Sequence, residues 1–295
     1  MKRITNIGRS VRDKLLNLMK ASGREYMYIL QRYFNERLLY RVSVSQYRDN
    51  FLLKGGSLLY AIDGMNVRPT VDVDFMAMKI NRDREFLTEV FKEILSTECP
   101  EDGVMFDMDT LNPKPITGDK KYPGTRFEFT ASLDTIRNKM SIDIGFGDVV
   151  TPEPTTIDFP ILIEGHPAVN LKAYSLETVI AEKFHAMIDR DSANSRMKDF
   201  FDCYQIQKAH PDLFGPQLKE AIYATFDNRH LSFNPDLKLF SEEFTQDAAL
   251  LSRWATFLRN IKWPEDIAFT EVMDFVNDRL KPYYEEYARE RWNNR

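Results

Sequence analysis

The hydrophobic period of this chain changes twice, and that change restricts its possible folds more than any other feature. From Val11 to Met19 and from Arg24 to Val42 apolar residues recur at helical spacing. Val11, Leu15, Leu16 and Met19 mark the first helix, and Tyr26, Ile29, Leu30, Tyr33, Leu38 and Leu39 mark the buried side of the second. At Phe51-Leu52-Leu53-Lys54-Gly55-Gly56 the pattern becomes a short strand and a glycine turn, then a helix that Ser57 is placed to cap. Val71 to Met76 alternates strictly and reads as a strand, Arg84 to Leu95 as an amphipathic helix, and Val104–Leu111, Thr125–Leu133 and Lys139–Phe146 as further strands. Pro152, Pro154, Pro160 and Pro167 signal the approach to a domain boundary. After Ser175 the period is helical again, over Leu176–Ile188, Arg196–Lys208, Pro216–Phe226, Asp247–Asn260 and Phe269–Tyr284. The expectation is an α/β (α+β) protein with a mixed-sheet domain over residues 1–170, including a helical prefix at 1–48, and an all-helical domain over 171–295.

Composition narrows the function classes. With 43% hydrophobic and 13% aromatic residues the chain has the material for a packed core and is not disordered. It contains no apolar run of membrane-spanning length, and its first residues lack the apolar core of a signal peptide, so a cytoplasmic protein without membrane attachment is expected. Cys99 and Cys203 lie far apart without a CxxC pair, and the four histidines show no ligand spacing, which argues against a disulfide framework or a zinc site. The net charge of −5 hides an asymmetry. Residues 1–48 hold eleven Lys and Arg against three Asp and Glu, a surplus of eight, so the remainder carries thirteen excess negative charges. A basic arm on an acidic body is an electrostatic footprint for a polyanion; the bland alternative is that the arginines solvate two helices or pair with the body.

Asp72 and Asp74 are the first candidates for chemistry. Residues i and i+2 of a strand share a face, so both carboxylates emerge together and repel unless a cation lies between them. Magnesium takes such ligands, completing its octahedron with water and substrate phosphate. A lone DxD is also compatible with a solvated edge strand. Context favours the metal. Gly55-Gly56-Ser57 lies one helix upstream, where glycines admit a phosphate to the backbone and a helix N-terminus favours its charge. Downstream, Ser141-Ile142-Asp143-Ile144 alternates, which turns Asp143 toward the face of Asp72 and Asp74 if the strands are neighbours. Glycine turn, DxD and a later Asp together form a set that can hold a nucleoside triphosphate with two metal ions. Asp148, in Gly145-Phe146-Gly147-Asp148, is the alternative third carboxylate.

A second cluster spans the next two helices. Lys183 lies on the first, and Arg196, Lys198, Asp199 and Asp202 on the second, with Arg196/Asp199 and Asp199/Asp202 at i,i+3. It reads either as surface ion pairs of little energetic consequence or as a lysine for the triphosphate, with two aspartates fixing that lysine or the substrate. Arg68 contacts phosphate or braces its loop; Arg126 is equally open.

Taken together, Lys54-Gly55-Gly56, Arg68-Pro69-Thr70-Val71-Asp72-Val73-Asp74, Ile142-Asp143-Ile144-Gly145-Phe146-Gly147-Asp148, Ala181-Glu182-Lys183-Phe184 and Asn194-Ser195-Arg196-Met197-Lys198-Asp199-Phe200-Phe201-Asp202 resemble the AbiEii/AbiGii-type nucleotidyltransferase toxin family. Glu36-Arg37-Leu38-Leu39-Tyr40-Arg41 fits as well. The resemblance implies a DNA-polymerase-β-like nucleotidyltransferase sheet, a helical C-terminal half, and a toxin of a bacterial toxin–antitoxin pair with a cognate antitoxin as partner. By motif, Gly55, Gly56 and Ser57 match the glycine turn, Asp72 and Asp74 the metal pair, Lys183 the motif lysine, and Asp199 and Asp202 the final DxxD. Asp143 follows from the superfamily pattern. The chain departs from the family in spacing, with fourteen residues between Ser57 and Asp72, which implies a rearranged phosphate loop.

The resulting expectation is a Mg2+- or Mn2+-dependent transfer of a nucleoside monophosphate from an NTP to an RNA acceptor such as a tRNA 3′ end. Asp72, Asp74 and Asp143 would hold metal, Asp143 would also help deprotonate the acceptor, and Lys183 would neutralise phosphate. Gly55, Gly56, Ser57, Arg68, Arg196, Asp199 and Asp202 complete the nucleotide site. The alternatives are a protein or small-molecule acceptor such as an antibiotic, and a non-catalytic nucleotide-binding module. A glycosyltransferase also uses DxD with a metal, but the upstream glycine turn does not belong to that pattern.

Overall fold

Helix α1 (Ile7–Ser22) begins where the Asn6 side chain accepts a hydrogen bond from the Arg9 amide, and ends at Gly23, whose positive φ of 67° suits a residue without a Cβ. The computed structural model describes residues 6–116 and 124–292. The chain divides into a sheet-bearing unit, running to Gly147 and resuming over Thr155–Ala173, and a helical unit made of Asp148–Pro154 and the chain from Tyr174 onward.

In the sheet-bearing unit the middle of α2 (Tyr26–Val44), from Ile29 to Leu39, is buried on all sides. The apolar stripe expected from its spacing is buried, apart from the half-exposed Tyr26, and so are Gln31, Arg32, Asn35, Glu36, Arg37 and Arg41. These charges are compensated locally. Arg37 pairs with Glu36 at 2.6 Å, Arg41 pairs with the buried Asp102 at 2.7 Å, and the Arg32 guanidinium lies 3.9 Å over the Tyr60 ring. Three of the prefix arginines are therefore structural rather than part of a solvent-facing footprint.

The sheet consists of β1 (Phe51–Lys54), β2 (Val73–Ala77), β3 (Val104–Ile116), β4 (Gly124–Leu133), β5 (Ile136–Phe146), β6 (Thr155–Phe159) and β7 (Val169–Ala173), in the order β3-β4-β5-β2-β1-β7-β6. It is mixed: β2 pairs parallel with β5 and β1 parallel with β7, and the other pairs are antiparallel. Between β1 and β2 lies α3 (Gly55–Asp63), and between β2 and β3 lies α4 (Arg84–Leu95). Asp83 caps α4 by accepting from the Phe86 amide at 2.9 Å. Phe91 of α4 packs 5.1 Å from Phe51 and 5.0 Å from Phe127, centroid to centroid, on the buried face of the sheet. Strands β6 and β7 fall in the stretch that the prolines mark as an approach to a boundary. Pro152, Pro154, Pro160 and Pro167 all lie outside these strands, where no ladder N–H is needed, and Val169, Leu171 and Ala173 alternate inward.

The helical unit contains α5 (Leu176–Arg190), α6 (Met197–Ala209), α7 (Pro216–Asn228), α8 (Glu242–Thr245), α9 (Ala248–Ile261), α10 (Phe269–Phe275) and α11 (Lys281–Arg291). Ser175 caps α5, and Phe200, Phe201, Trp254, Phe257 and Phe269 form an aromatic core, with Trp254 donating from its indole nitrogen to the Ile267 carbonyl at 2.6 Å. The single helix expected over Phe269–Tyr284 is broken by a π-turn at Val276–Leu280, just ahead of Pro282, which has no N–H to continue an α ladder. No helix among the described residues is long and apolar enough to cross a membrane.

Candidate active site

Strand register assembles the site in the sheet-bearing unit. Asp74 lies directly opposite Lys54 of β1 and Asp143 of β5, Asp143 opposite Arg126 of β4, and Arg126 opposite Lys114 of β3. Directly paired residues share a face, so Lys114, Arg126, Asp143, Asp74 and Lys54 form one charged row across five strands. Their chain neighbours Val73, Phe75, Phe127, Ile142 and Ile144 are fully buried on the opposite face. The juxtaposition of Asp74 and Asp143 follows from the parallel pairing of β2 with β5, a pairing the alternation alone left conditional.

Asp72 arrives differently. The predicted strand from Val71 begins only at Val73, and Val71 is 58% exposed instead of facing the core. Side chains take the place of the ladder here: Gln31 and Asn35 donate to the Val71 carbonyl at 3.1 and 3.4 Å, and the Ser57 hydroxyl donates to the Asp72 carbonyl at 3.3 Å. The Asp72 carboxylate accepts from the Ser141 hydroxyl, and its other oxygen lies 3.6 Å from Arg126 Nη2. Ser141 is two residues before Asp143 on the same face of β5, and sequence reading did not single it out; its place in the alternating Ser141-Ile142-Asp143 run was the available signal.

The glycine turn lies against these carboxylates. Gly55 has φ of +67°, and a Cβ there would overlap the Asp74 carboxylate; a Cβ on Gly56 would come within 2.7 Å of Thr70. Ser57 is not the cap of α3. It lies fully buried inside the first turn, the cap position is Lys54, and the serine hydroxyl is directed to Asp72. The fourteen residues between Ser57 and Asp72 are thus an excursion through the rest of α3 and a 3-10 turn at Gly64–Asn66, and they return the chain to the glycine turn. Arg68 donates to the Pro69 carbonyl at 3.3 Å within that excursion. We expect Gly55→Ala to lower nucleotidyl transfer about a hundredfold, the scale of an ångström-sized misplacement of a reacting group, and to cost roughly 1–3 kcal/mol in stability from the strained backbone. Transfer rate and thermal unfolding measured on the same preparation check both.

Arg126 binds Asp143 through two bonds, Nε to Oδ1 and Nη2 to Oδ2, each 2.6 Å. The hydrogen bonds to Asp143 come first among the causes that raise its pKa, burial opposes them, and the charges of Asp143, Asp72 and Asp74 add to them. Among the described residues no three His, Cys, Asp or Glu side chains are already gathered as a ligand set, and the Arg126 fork covers both oxygens of Asp143. The donor chemistry nevertheless fits a hard dication. Asp72, Asp74 and Asp143 supply only carboxylate oxygens, Asp74 and Asp143 paired across β2 and β5 and Asp72 joined to Asp143 through Arg126, and Gly55 lets the Asp74 carboxylate lie directly against the turn.

In the helical unit Lys183 of α5 reaches Asp199 at 3.1 Å and Asp202 at 2.7 Å, both on α6, and Arg196 Nε donates to Asp199 at 2.6 Å. The two aspartates are buried, at 1% and 2% exposure, which removes the surface-ion-pair reading. Burial would raise the Asp199 pKa, but the Lys183 ammonium and Arg196 outweigh it and hold the carboxyl below the usual range. Asp148 belongs to this unit and accepts from Arg229 at 2.8 Å, so Asp143, and not Asp148, is the carboxylate beside Asp74.

Two solved structures share this fold. A candidate nucleotidyltransferase from H. pylori superposes with a TM-score of 0.51 at 17% identity, covering 87% of this chain and 96% of its own. JHP933 from Helicobacter pylori superposes with a TM-score of 0.51 at 18% identity, covering 88% and 94%. No curated protein sequence matches significantly. The sequence from residue 37 to 275 matches the family model described as nucleotidyl transferase AbiEii toxin, type IV toxin–antitoxin system. That span takes in the glycine turn, the carboxylate row and the Lys183 cluster, and the chain belongs to the AbiEii nucleotidyltransferase toxin family.

Proposed function

We propose that this nucleotidyltransferase transfers a nucleoside monophosphate, in the presence of Mg2+ or Mn2+, from an NTP to the 3′ hydroxyl of an RNA such as a tRNA. The observation that carries the reading is the register that sets Asp74 beside Asp143, with Asp72 tied to the same face through Ser141. Asp72, Asp74 and Asp143 would hold the metal, which supplies charge neutralisation at the reacting phosphate. The acceptor oxygen attacks the α-phosphorus, the bond from that phosphorus to the bridging oxygen breaks, pyrophosphate leaves, and the hydroxyl proton passes to Asp143. The backbone amides that follow Gly55 and Gly56 receive phosphate oxygens. Lys183, with Asp199 and Asp202 fixing its ammonium, keeps the phosphate-neutralising role that the family motif gives it, and Arg68 and Arg196 keep the nucleotide-contacting roles expected of them. The cognate antitoxin that the family implies is the expected protein partner.

The test uses the pure protein with each labelled NTP, Mg2+, and either total RNA or the same RNA with its 3′ ends oxidised by periodate. Label appearing in intact RNA alone is the expected result. Label on protein would move the acceptor to a protein, and nucleotide binding without transfer would make the chain a binding module.

Burial and pairing divide the cations of the basic prefix. Lys2 and Arg3 lie outside the described residues; Arg32, Arg37 and Arg41 are buried; Arg12 pairs with Asp134 at 2.8 Å; and Arg24 donates to the Met65 carbonyl. Arg9, Lys14 and Lys20 of α1 are exposed. Reversing these three charges should weaken RNA binding and lower the slope of log affinity against log salt by up to about one for each phosphate no longer neutralised, while leaving nucleotide affinity unchanged. Unaltered, salt-independent acceptor binding would sink an RNA acceptor held by α1.

A further inference from the structure

Arg126 occupies an unusual place for a cation in a site built from carboxylates. It lies opposite Asp143 in the β4–β5 register, grips both oxygens of that side chain at 2.6 Å, and sits 3.6 Å from Asp72. A bidentate guanidinium–carboxylate pair is among the stronger polar contacts available to a protein, and here the arginine retains 39% of its side-chain exposure, so it has room to swing toward solvent. Two carboxylates pointing into one region need a positive charge, and in the protein alone Arg126 supplies it. A dication would need the same oxygens.

We propose that Arg126 is a resident counter-ion of Asp143 and Asp72, competing with the divalent metal for their oxygens, so that metal enters in company with the nucleotide and not before it. This rests on the proposed metal-dependent reading. The triphosphate brings several negative charges and offers the guanidinium a strong anionic partner to which it can turn when a metal displaces it from Asp143 and Asp72. Because the two exchanges are linked, nucleotide should tighten metal binding, and metal should tighten nucleotide binding by the same factor. Until then the Asp143 oxygens stay covered, so the carboxylate that receives the acceptor proton is withheld from the nucleotide-free protein. Arg126 is a positioning residue in this account, acting through the oxygens of Asp143 and Asp72.

The test is a titration of the full chain with Mn2+ alone, followed by electron paramagnetic resonance of the free ion and repeated with a non-hydrolysable NTP analogue. Arg126→Gln should bind Mn2+ about tenfold more tightly than wild type when no nucleotide is present, since a neutral amide competes poorly for the carboxylates. The tightening of Mn2+ binding produced by the analogue should be large in wild type and mostly lost in Arg126→Gln. Arg126→Lys keeps the charge without the two-pronged geometry and should fall between them; it decides the matter if the glutamine variant does not fold. Equal or weaker Mn2+ binding by the folded variants, in a wild type that binds Mn2+ with the analogue, overturns the role of Arg126 alone. A wild type that binds no Mn2+ even with the analogue overturns the metal-dependent reading and this proposal with it.

Discussion

Asp74→Ala should reduce nucleotidyl transfer by roughly a thousandfold or more, with the fold retained; losing a single electrostatic contributor at a reacting centre commonly costs two to three orders of magnitude. Asp74 stands in the charged row between Asp143 and Lys54 and is set against Gly55. Asp72→Ala should fall on the same scale. Its expected effect on stability follows from its contacts. Asp72 is half-exposed and shares Arg126 with Asp143, and removing it leaves the two short bonds between Arg126 and Asp143 intact. The melting temperature should therefore move little, with the missing Ser141 hydrogen bond costing about 1 kcal/mol at most and reduced repulsion between carboxylates offsetting part of it. Transfer assays beside thermal unfolding of both variants check this. Near-normal transfer in either would remove the carboxylate row from the chemistry.

Lys183→Met should be the most destabilising single change in the helical unit. Lys183 is 12% exposed and is the cation shared by two buried carboxylates, so its removal leaves buried negative charge undercompensated, a situation that costs about 3–5 kcal/mol. The pH dependence distinguishes this from a packing defect. In the wild type the Asp199 pKa is held below its ordinary value. A carboxyl depressed in this way contributes stability that is present above its unfolded pKa and lost as pH falls through the folded one. In the variant, burial acts on the carboxyl without the lysine and raises its pKa. The deficit should then be largest at neutral pH and shrink toward pH 4 as the carboxyls take up protons. Urea unfolding at several pH values measures this, and a deficit independent of pH would assign the loss to packing. The same interactions mean that reduced transfer in Lys183→Ala is not by itself a sign of phosphate binding. Nucleotide titration of Lys183→Arg, which retains the charge between the aspartates, separates the two roles.

The basic prefix shows how composition misleads when burial is unknown. A surplus of eight positive charges over residues 1–48 reads as an arm for a polyanion, yet Arg32, Arg37 and Arg41 are all but completely buried. Their position on α2 has a tertiary cause. The middle of the helix is enclosed on every side, and its charges find Glu36, Asp102 and the Tyr60 ring within the same unit. Periodicity marks the apolar stripe of such a helix but carries no sign that its polar face is covered too.

The sequence by itself determined what depends on near neighbours in the chain. The helix Arg84–Leu95, the inward turn of Ile142 and Ile144, and the packing of Phe200 and Phe201 all follow from local period, which reports the face a residue takes relative to the next few. The glycine turn, Asp74 and Asp143 were visible for the same reason. Tertiary structure alone decided what depends on register and on distant partners. The pairing of β2 with β5 sets Asp74 against Asp143, and β4 then brings Arg126 onto that carboxylate and within reach of Asp72. The pairing of β7 with β1 places a strand from a proline-rich stretch inside the sheet. Ser57 faces Asp72 because the chain returns to it fifteen residues later, and Asp148, two residues past the end of β5, pairs with Arg229, eighty-one residues away in sequence. A one-residue change of register would turn Asp74, Asp143 or Arg126 to the other face without altering the local pattern, so the assembly of the site is a property of the fold and its face-by-face preparation a property of the sequence.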